Sequence, residues 1–377
     1  MHKQRYRVRL AAILLGLASL AGCTHFFVDD CPSGVLGNNE SGSARLRTSH
    51  YRVMLADPGA AAARFLPFAI MSTYAYIDGD QCGGVDDVPN KKGQRAELLA
   101  WLQETTDGAS PWQLETAVGM RDPDVPTRIG CEDVSGLMFH VWHRKVDNRK
   151  QVVIAFRGTS GPGDWGQGNL WWFSRAVSDD TQFDRVRQHA RAIMSHFDQQ
   201  AVQAGEAPPR YVTTGHSLGG GLAQHLLYAF PQRVEQAIVF DSSSVTGFVD
   251  TSISNAERIS ACSCRPEVAP EARIIRVYQT YEILSNLRLP HKILFPPERH
   301  VQEVRFPFKA SSNPVVRHRI AKLTGDMRTI AKGRTLDEVG SSWFASRDGS
   351  CTDRMKRAQE ASCKIVVAPD SCRFCPQ

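Results

Sequence analysis

Gly215-His216-Ser217-Leu218-Gly219 has the spacing G-x-S-x-G. Residues 211–214 (YVTT) before it read as a strand, and residues 219–227 (GGGLAQHLL) after it as the start of a helix. That setting holds a serine hydroxyl on a strained strand-to-helix turn above a sheet, where it can attack an electrophilic carbonyl. Glycines two before and two after the serine remove Cβ atoms that would clash in so tight a turn. The helix N-terminus beneath the serine favours negative charge developing there. The plainer reading of the same letters is a glycine-rich turn with an incidental serine, and the flanking elements argue against it.

Such a turn needs a sheet to stand on, and the surrounding chain supplies one. Residues 136–142 (GLMFHVW) and 151–156 (QVVIAF) read as strands, with a turn-like stretch over 145–150 between them. Residues 181–204 have helical periodicity, with Phe183, Val186, Ala190, Ile193, Met194, Phe197 and Val202 on one face. A helix over 218–230 is ended by Pro231, and residues 236–240 and 273–278 are further strands. Earlier, 60–77 is an apolar helical stretch that Pro67 should kink or cap, and 94–103 a short helix; 315–323 is a late one. Strands alternating with helices predict an α/β fold with a mostly parallel sheet. There is no internal repeat.

Residues 152–159 (VVIAFRGT), followed by Asp164-Trp165 and Asn169-Leu170, resemble the FRGT strand and loop of the class 3 (fungal-type) lipases. In that family the segment lies some sixty residues before GHSLGG, and here Thr159 precedes Ser217 by 58 positions. The resemblance covers about residues 67–330 and implies an α/β-hydrolase fold, a mostly parallel central sheet flanked by helices. It implies Ser217 as nucleophile, with Thr159 and the backbone N–H of Leu218 as oxyanion donors. A strand-terminal threonine satisfying its own backbone is the alternative for Thr159. Losing one such donor typically costs about 10²–10³ in rate. Residues 164–175 (DWGQGNLWWFSR) sit near the family's lid, and read either as an apolar flap or as core packing.

The acid has two main candidates. Glu282 falls where the family has an Asp before an apolar pair and a Leu-Pro; the longer side chain is a departure. Asp241, just beyond a strand and 24 residues after Ser217, is the alternative acid, with Asp250 behind it. The base follows the acid in α/β-hydrolase chain order, which leaves His291, His300 and His318. His318 opens a helix after a Pro-containing loop, as the family's histidine does, and is preferred; His291 is too close to Leu289-Pro290 to fold back. His216 belongs to the elbow and is not a base candidate.

Composition frames this chemistry. The 377 residues carry 45 basic and 39 acidic side chains, but Lys3, Arg5, Arg7 and Arg9 precede an uncharged run over 10–22. Without those four the balance is close to neutral, so charge gives no argument for nucleic-acid binding. The opening reads as a signal peptide over 1–22 ending in Leu20-Ala21-Gly22-Cys23, which looks like a bacterial lipobox. The resemblance implies lipidation of Cys23, anchorage in the cell envelope and a face toward the periplasm or surface; Thr24 favours the outer membrane. Residues 23–58 then read as lipidated cysteine and tether, 59–340 as the hydrolase domain, and 341–377 as a Cys-rich tail. Ten cysteines in an exported chain favour disulfides, and Cys262, Cys264, Cys372 and Cys375 have poor spacing for zinc. The expectation is a membrane-anchored serine hydrolase of lipid acyl esters, requiring no metal or organic cofactor. An esterase or thioesterase on soluble substrates, and a catalytically silent envelope lipoprotein, are the rivals.

Overall fold

The computed structural model describes residues 29–30, 44–48, 51–77, 91–106, 110–115, 137–158, 180–243, 246, 253–262, 272–284, 300–308, 313–339, 342–344, 353 and 357. Signal peptide, Cys23, Thr159, the aromatic stretch over 164–175, Asp250, His291 and most of the C-terminal tail lie outside them.

Among the described residues the strands are β1 (Asp29–Asp30), β2 (Arg45–Arg47), β3 (Tyr51–Met54), β4 (Gln113–Leu114), β5 (Phe139–Val146), β6 (Arg149–Phe156), β7 (Ala207–His216), β8 (Val234–Phe240), β9 (Ile274–Gln279) and β10 (Val301–Phe306). They form one sheet in the order β1-β3-β2-β10-β9-β8-β7-β6-β5-β4. From β10 to β6 every pairing is parallel. The antiparallel additions at the flanks are β5 with β4, and β2 with β3. The helices are α1 (Pro58–Ile77), α2 (Lys91–Glu104), α3 (Asp180–Ala204), α4 (Leu218–Ala229), α5 (Asn255–Cys262), α6 (Pro314–Arg317), α7 (Ile320–Ala331) and α8 (Leu336–Val339).

The parallel strands are buried on both faces, as their continuous apolar runs require. Val153, Ala155, Val212, Ile238, Phe240, Val277 and Phe306 face the layer of α1, α7 and α8. Their sequence neighbours Val152, Ile154, Phe156, Tyr211, Val239 and Ile274 face α3 and α4. That is the period of two expected of strands, applied twice to make an α/β/α sandwich.

Helix α1 is buried nearly all round, which explains why its residues are apolar on every side. Asp57 Oδ1 accepts the N–H of Ala60 at 3.0 Å, and Pro58 occupies the first helical position. Pro67 neither ends nor caps the helix; it sits inside a continuous twenty-residue element. Thr73 Oγ1 pairs with Thr324 of α7 at 2.8 Å, and Ser72 with Thr214 of β7 at 3.1 Å, so polar links fix this helix over the sheet.

Several expectations shift. The folded core reaches beyond 59–340 at both ends: β2 and β3 lie inside the stretch read as tether, and Trp343, fully buried, stacks edge-on against Phe65 at 4.8 Å. The turn before β6 is the two residues Asp147 and Asn148, both at positive φ, which is hairpin chemistry. In α3 the inward face is continued by Ala201, while Val202 is exposed. Cys262 is disulfide-bonded, with a partner outside the described residues.

The helix expected over 315–323 is broken into α6 and α7. His318 and Arg319 lie between them, Arg319 in extended conformation (φ −72°, ψ 120°). The cause is a competing donor: the carbonyl of His318 takes a hydrogen bond from His216 Nε2 at 2.7 Å rather than from the next helical turn.

Candidate active site

Four loops leave the carboxyl ends of adjacent parallel strands, where open α/β sheets build their sites. Ser217 follows β7, Asp241 follows β8, Glu282 follows β9 and His318 follows β10. Ser217, Asp241 and Tyr281 all have positive φ (55°, 38° and 61°), a conformation non-glycine residues rarely adopt. Strain of this kind is held only where surrounding structure over-determines it, and it gathers at functional sites.

The elbow is pinned by backbone hydrogen bonds. Ser217 N–H donates to Phe240 O at 3.1 Å, and Ser217 O accepts from Gly220 N–H at 3.1 Å and Ser243 N–H at 2.9 Å. Ser217 has ψ −122° and caps α4 without a side-chain bond, so its hydroxyl is not spent on the helix. A Cβ on Gly219 would collide with the carbonyl of Phe156. Only glycine lets α4 start this close to the end of β6, the strand that leads to Thr159.

Glu282 and His318 meet. Nδ1 of His318 lies 2.8 Å from Glu282 Oε2, and both side chains are almost fully buried. The same oxygen accepts the N–H of Leu284 at 2.7 Å. A carboxylate oxygen can only accept, so the proton of that imidazole sits on Nδ1 and Nε2 carries the lone pair. Tyr281, immediately before Glu282, has positive φ and turns the chain after β9.

Asp241 is not idle. Its Oδ1 accepts Gln279 N–H at 2.9 Å, tying the ends of β8 and β9 together. A carboxylate oxygen of Asp241, a ring nitrogen of His318 and one of His216 lie within 4.8 Å of one another. Those distances would suit a cation, but both nitrogens of His216 have hydrogen-bond partners: Nε2 the carbonyl of His318, and Nδ1 the hydroxyl of Tyr76 at 2.9 Å. The imidazole of His216 is thus already committed to hydrogen bonds on both sides.

His300 is elsewhere. It opens β10 inside the core, 3.2 Å from Tyr228 Oη, and burial, then Arg276 and Arg273, pushes its pKa down to about 3. It cannot serve the elbow. The residues that sequence reasoning passed over are Tyr76, which lies 140 positions before His216, and His216 itself, set aside as motif filler. No local pattern marks Tyr76, because its role arises only when α1 packs over the sheet.

No protein-family model matches this chain, and no curated protein matches it. Eleven solved chains are similar to it, among them two lipases. One is the extracellular lipase LipA from Serratia marcescens, 17% identical, with a TM-score of 0.32 over 59% of this chain and 39% of that one. The other is a lipase from Rhizopus microsporus var. chinensis, 13% identical, with a TM-score of 0.32 over 77% of this chain and 89% of that one. The chain thus spans well under half of the Serratia lipase. Both likenesses are too distant to assign chemistry, which has to come from the residues themselves.

Proposed function

We propose that this chain is a serine hydrolase of carboxylic acyl esters of lipids, of lipase or phospholipase type. The observation that carries the reading is the buried 2.8 Å contact between His318 Nδ1 and Glu282 Oε2, on the loops after β10 and β9, beside the strained elbow of Ser217. Nucleophile, acid and base follow β7, β9 and β10 in the chain order of α/β-hydrolases.

In this mechanism Nε2 of His318 takes the proton of the Ser217 hydroxyl as its oxygen attacks the ester carbonyl. The resulting oxyanion is held by the N–H of Leu218 and by Thr159. Glu282 keeps the imidazole in the Nδ1–H tautomer and stabilises the imidazolium that forms. The tetrahedral adduct collapses, His318 returns its proton to the departing alcohol, and an acyl-Ser217 ester remains. Water, deprotonated by the same nitrogen, releases the acid and restores the serine. None of these steps calls on a metal or organic cofactor.

The lipobox at Cys23 supports anchorage of the exported chain in the cell envelope, and an enzyme held beside a bilayer has lipid as its nearest ester. Several acyl chains, at about 0.8 kcal/mol per buried methylene, would make that anchorage durable.

Fatty-acid release from phospholipid vesicles by the exported full chain is the test. Ser217→Ala and His318→Ala should each abolish release, by about 10⁴-fold or more. Glu282→Gln should cost about 10⁴-fold, while Asp241→Asn stays within about tenfold of wild type. Release surviving Ser217→Ala would sink the mechanism. A wild type that takes a fluorophosphonate label but leaves vesicles intact would redirect the reading to a soluble ester or thioester.

A further inference from the structure

Around Ser217 runs a chain of hydrogen bonds that the triad does not use. Gly158 N–H donates to Tyr76 Oη at 3.1 Å, Tyr76 Oη lies 2.9 Å from His216 Nδ1, and His216 Nε2 lies 2.7 Å from the carbonyl of His318. The proton positions follow from chemistry. A carbonyl only accepts, so His216 carries hydrogen on Nε2; its Nδ1 then accepts in the neutral ring, and the tyrosine hydroxyl donates to it. That hydroxyl stays protonated, because burial pushes its pKa well above the ordinary phenol value. Each group has its partner, and the direction of every bond is determined.

The four members sit on four separate elements. Tyr76 is in the last turn of α1, Gly158 follows β6, His216 ends β7, and His318 stands in the break between α6 and α7. The ring planes of His216 and His318 are 4.6 Å apart between centroids, and Tyr76 meets His216 edge-on at 5.6 Å. A Cβ on Gly158 would strike both Tyr76 Oη and the carbonyl of His216. The approach is therefore close enough to hold the chain one residue before Thr159. The break at His318 occurs because its carbonyl is committed to this chain of bonds.

We propose that Tyr76 and His216 are positioning residues that lock the oxyanion strand end and the backbone of His318 to the elbow at once. This rests on the serine-hydrolase reading above. Rates of acyl transfer are sensitive to such placement, and a displacement near 1 Å can cost about 10²-fold.

Two measurements on the exported full chain test it. In the first, ¹⁵N spectra of histidine-labelled protein report the tautomer of His216. Hydrogen on Nε2 with an accepting Nδ1 is expected; hydrogen on Nδ1 would overturn the relay whether or not the enzyme is active. The second is steady-state ester hydrolysis by Tyr76→Phe, His216→Phe and His216→Gln, with Phe65→Ala as a destabilised control remote from the relay. The first two should lose about 10–100-fold in kcat with KM little changed. His216→Gln, whose amide both donates and accepts, should recover part of the loss, and Phe65→Ala should keep its kcat where it is folded. Wild-type kcat in Tyr76→Phe and His216→Phe, or losses that merely track melting temperature across all four, would refute positioning. Failure of the wild type itself to label with fluorophosphonate would instead refute the underlying hydrolase reading.

Discussion

At Asp241 one side chain could serve two purposes, and the geometry separates them. Its Oδ1 takes the N–H of Gln279, a residue buried away from solvent. Removing the acceptor should therefore cost stability whatever happens to catalysis, by about 1–3 kcal/mol for a buried donor left unmade. Asp241→Ala is expected to lower the urea midpoint accordingly, whereas Asp241→Asn, which keeps an acceptor oxygen, should stay close to wild type. Equal midpoints for the two would mean that Gln279 finds another partner. The sequence could name Asp241 and Glu282 as rival acids but could not rank them by contact. That ranking depends on which strand end faces the loop of His318, and β9 delivers Glu282 to it at 2.8 Å.

Elements were legible where local chemistry decides them. Strands β6, β8 and β9 and the helix after Ser217 stand close to where alternation and glycine spacing put them. The failures have tertiary causes. Pro67 is tolerated inside α1 because the helix is wrapped by α7, α2 and the sheet, contacts that no reading of residues 60–77 can see. The break at His318 needs a partner 102 positions away. Trp343 looked like part of a tail, yet it closes the layer over α1 through Phe65. Phe65 and Trp343 are both fully buried, so cutting either to alanine should cost about 3–5 kcal/mol. Being in contact, the pair should be non-additive, the double variant losing less than the sum of the singles. Chemical denaturation of the three variants measures this, and strict additivity would mean that the ring contact contributes nothing beyond the two separate burials.

For the molecule as a whole, the buried His300 beside two arginines contributes to how the fold responds to acid. His300 is enclosed by Tyr228 and by Arg276 and Arg273, whose guanidinium groups bond Gln224 and the carbonyls of Ser260, Pro231 and Val234. Burial first, then the charges of Arg276 and Arg273, lowers its pKa to about 3, against about 6.5 in an unfolded chain. The folded state therefore refuses a proton that the unfolded state accepts. Stability from this group is complete above the unfolded pKa and is lost as pH falls below it, at up to about 1.4 kcal/mol per pH unit, until the folded group itself titrates. His143, lowered by burial and then by Lys150 and His196, adds in the same direction. Carboxylates dominate only further into acid, so the window between pH 6.5 and 5 is where the histidines can be read. His300→Gln keeps a polar partner for Tyr228 and removes the titration. Its unfolding free energy, measured by urea at pH 7, 6 and 5, should fall less steeply than that of wild type. Parallel slopes would mean that His300 accepts its proton within the folded core, beside Tyr228.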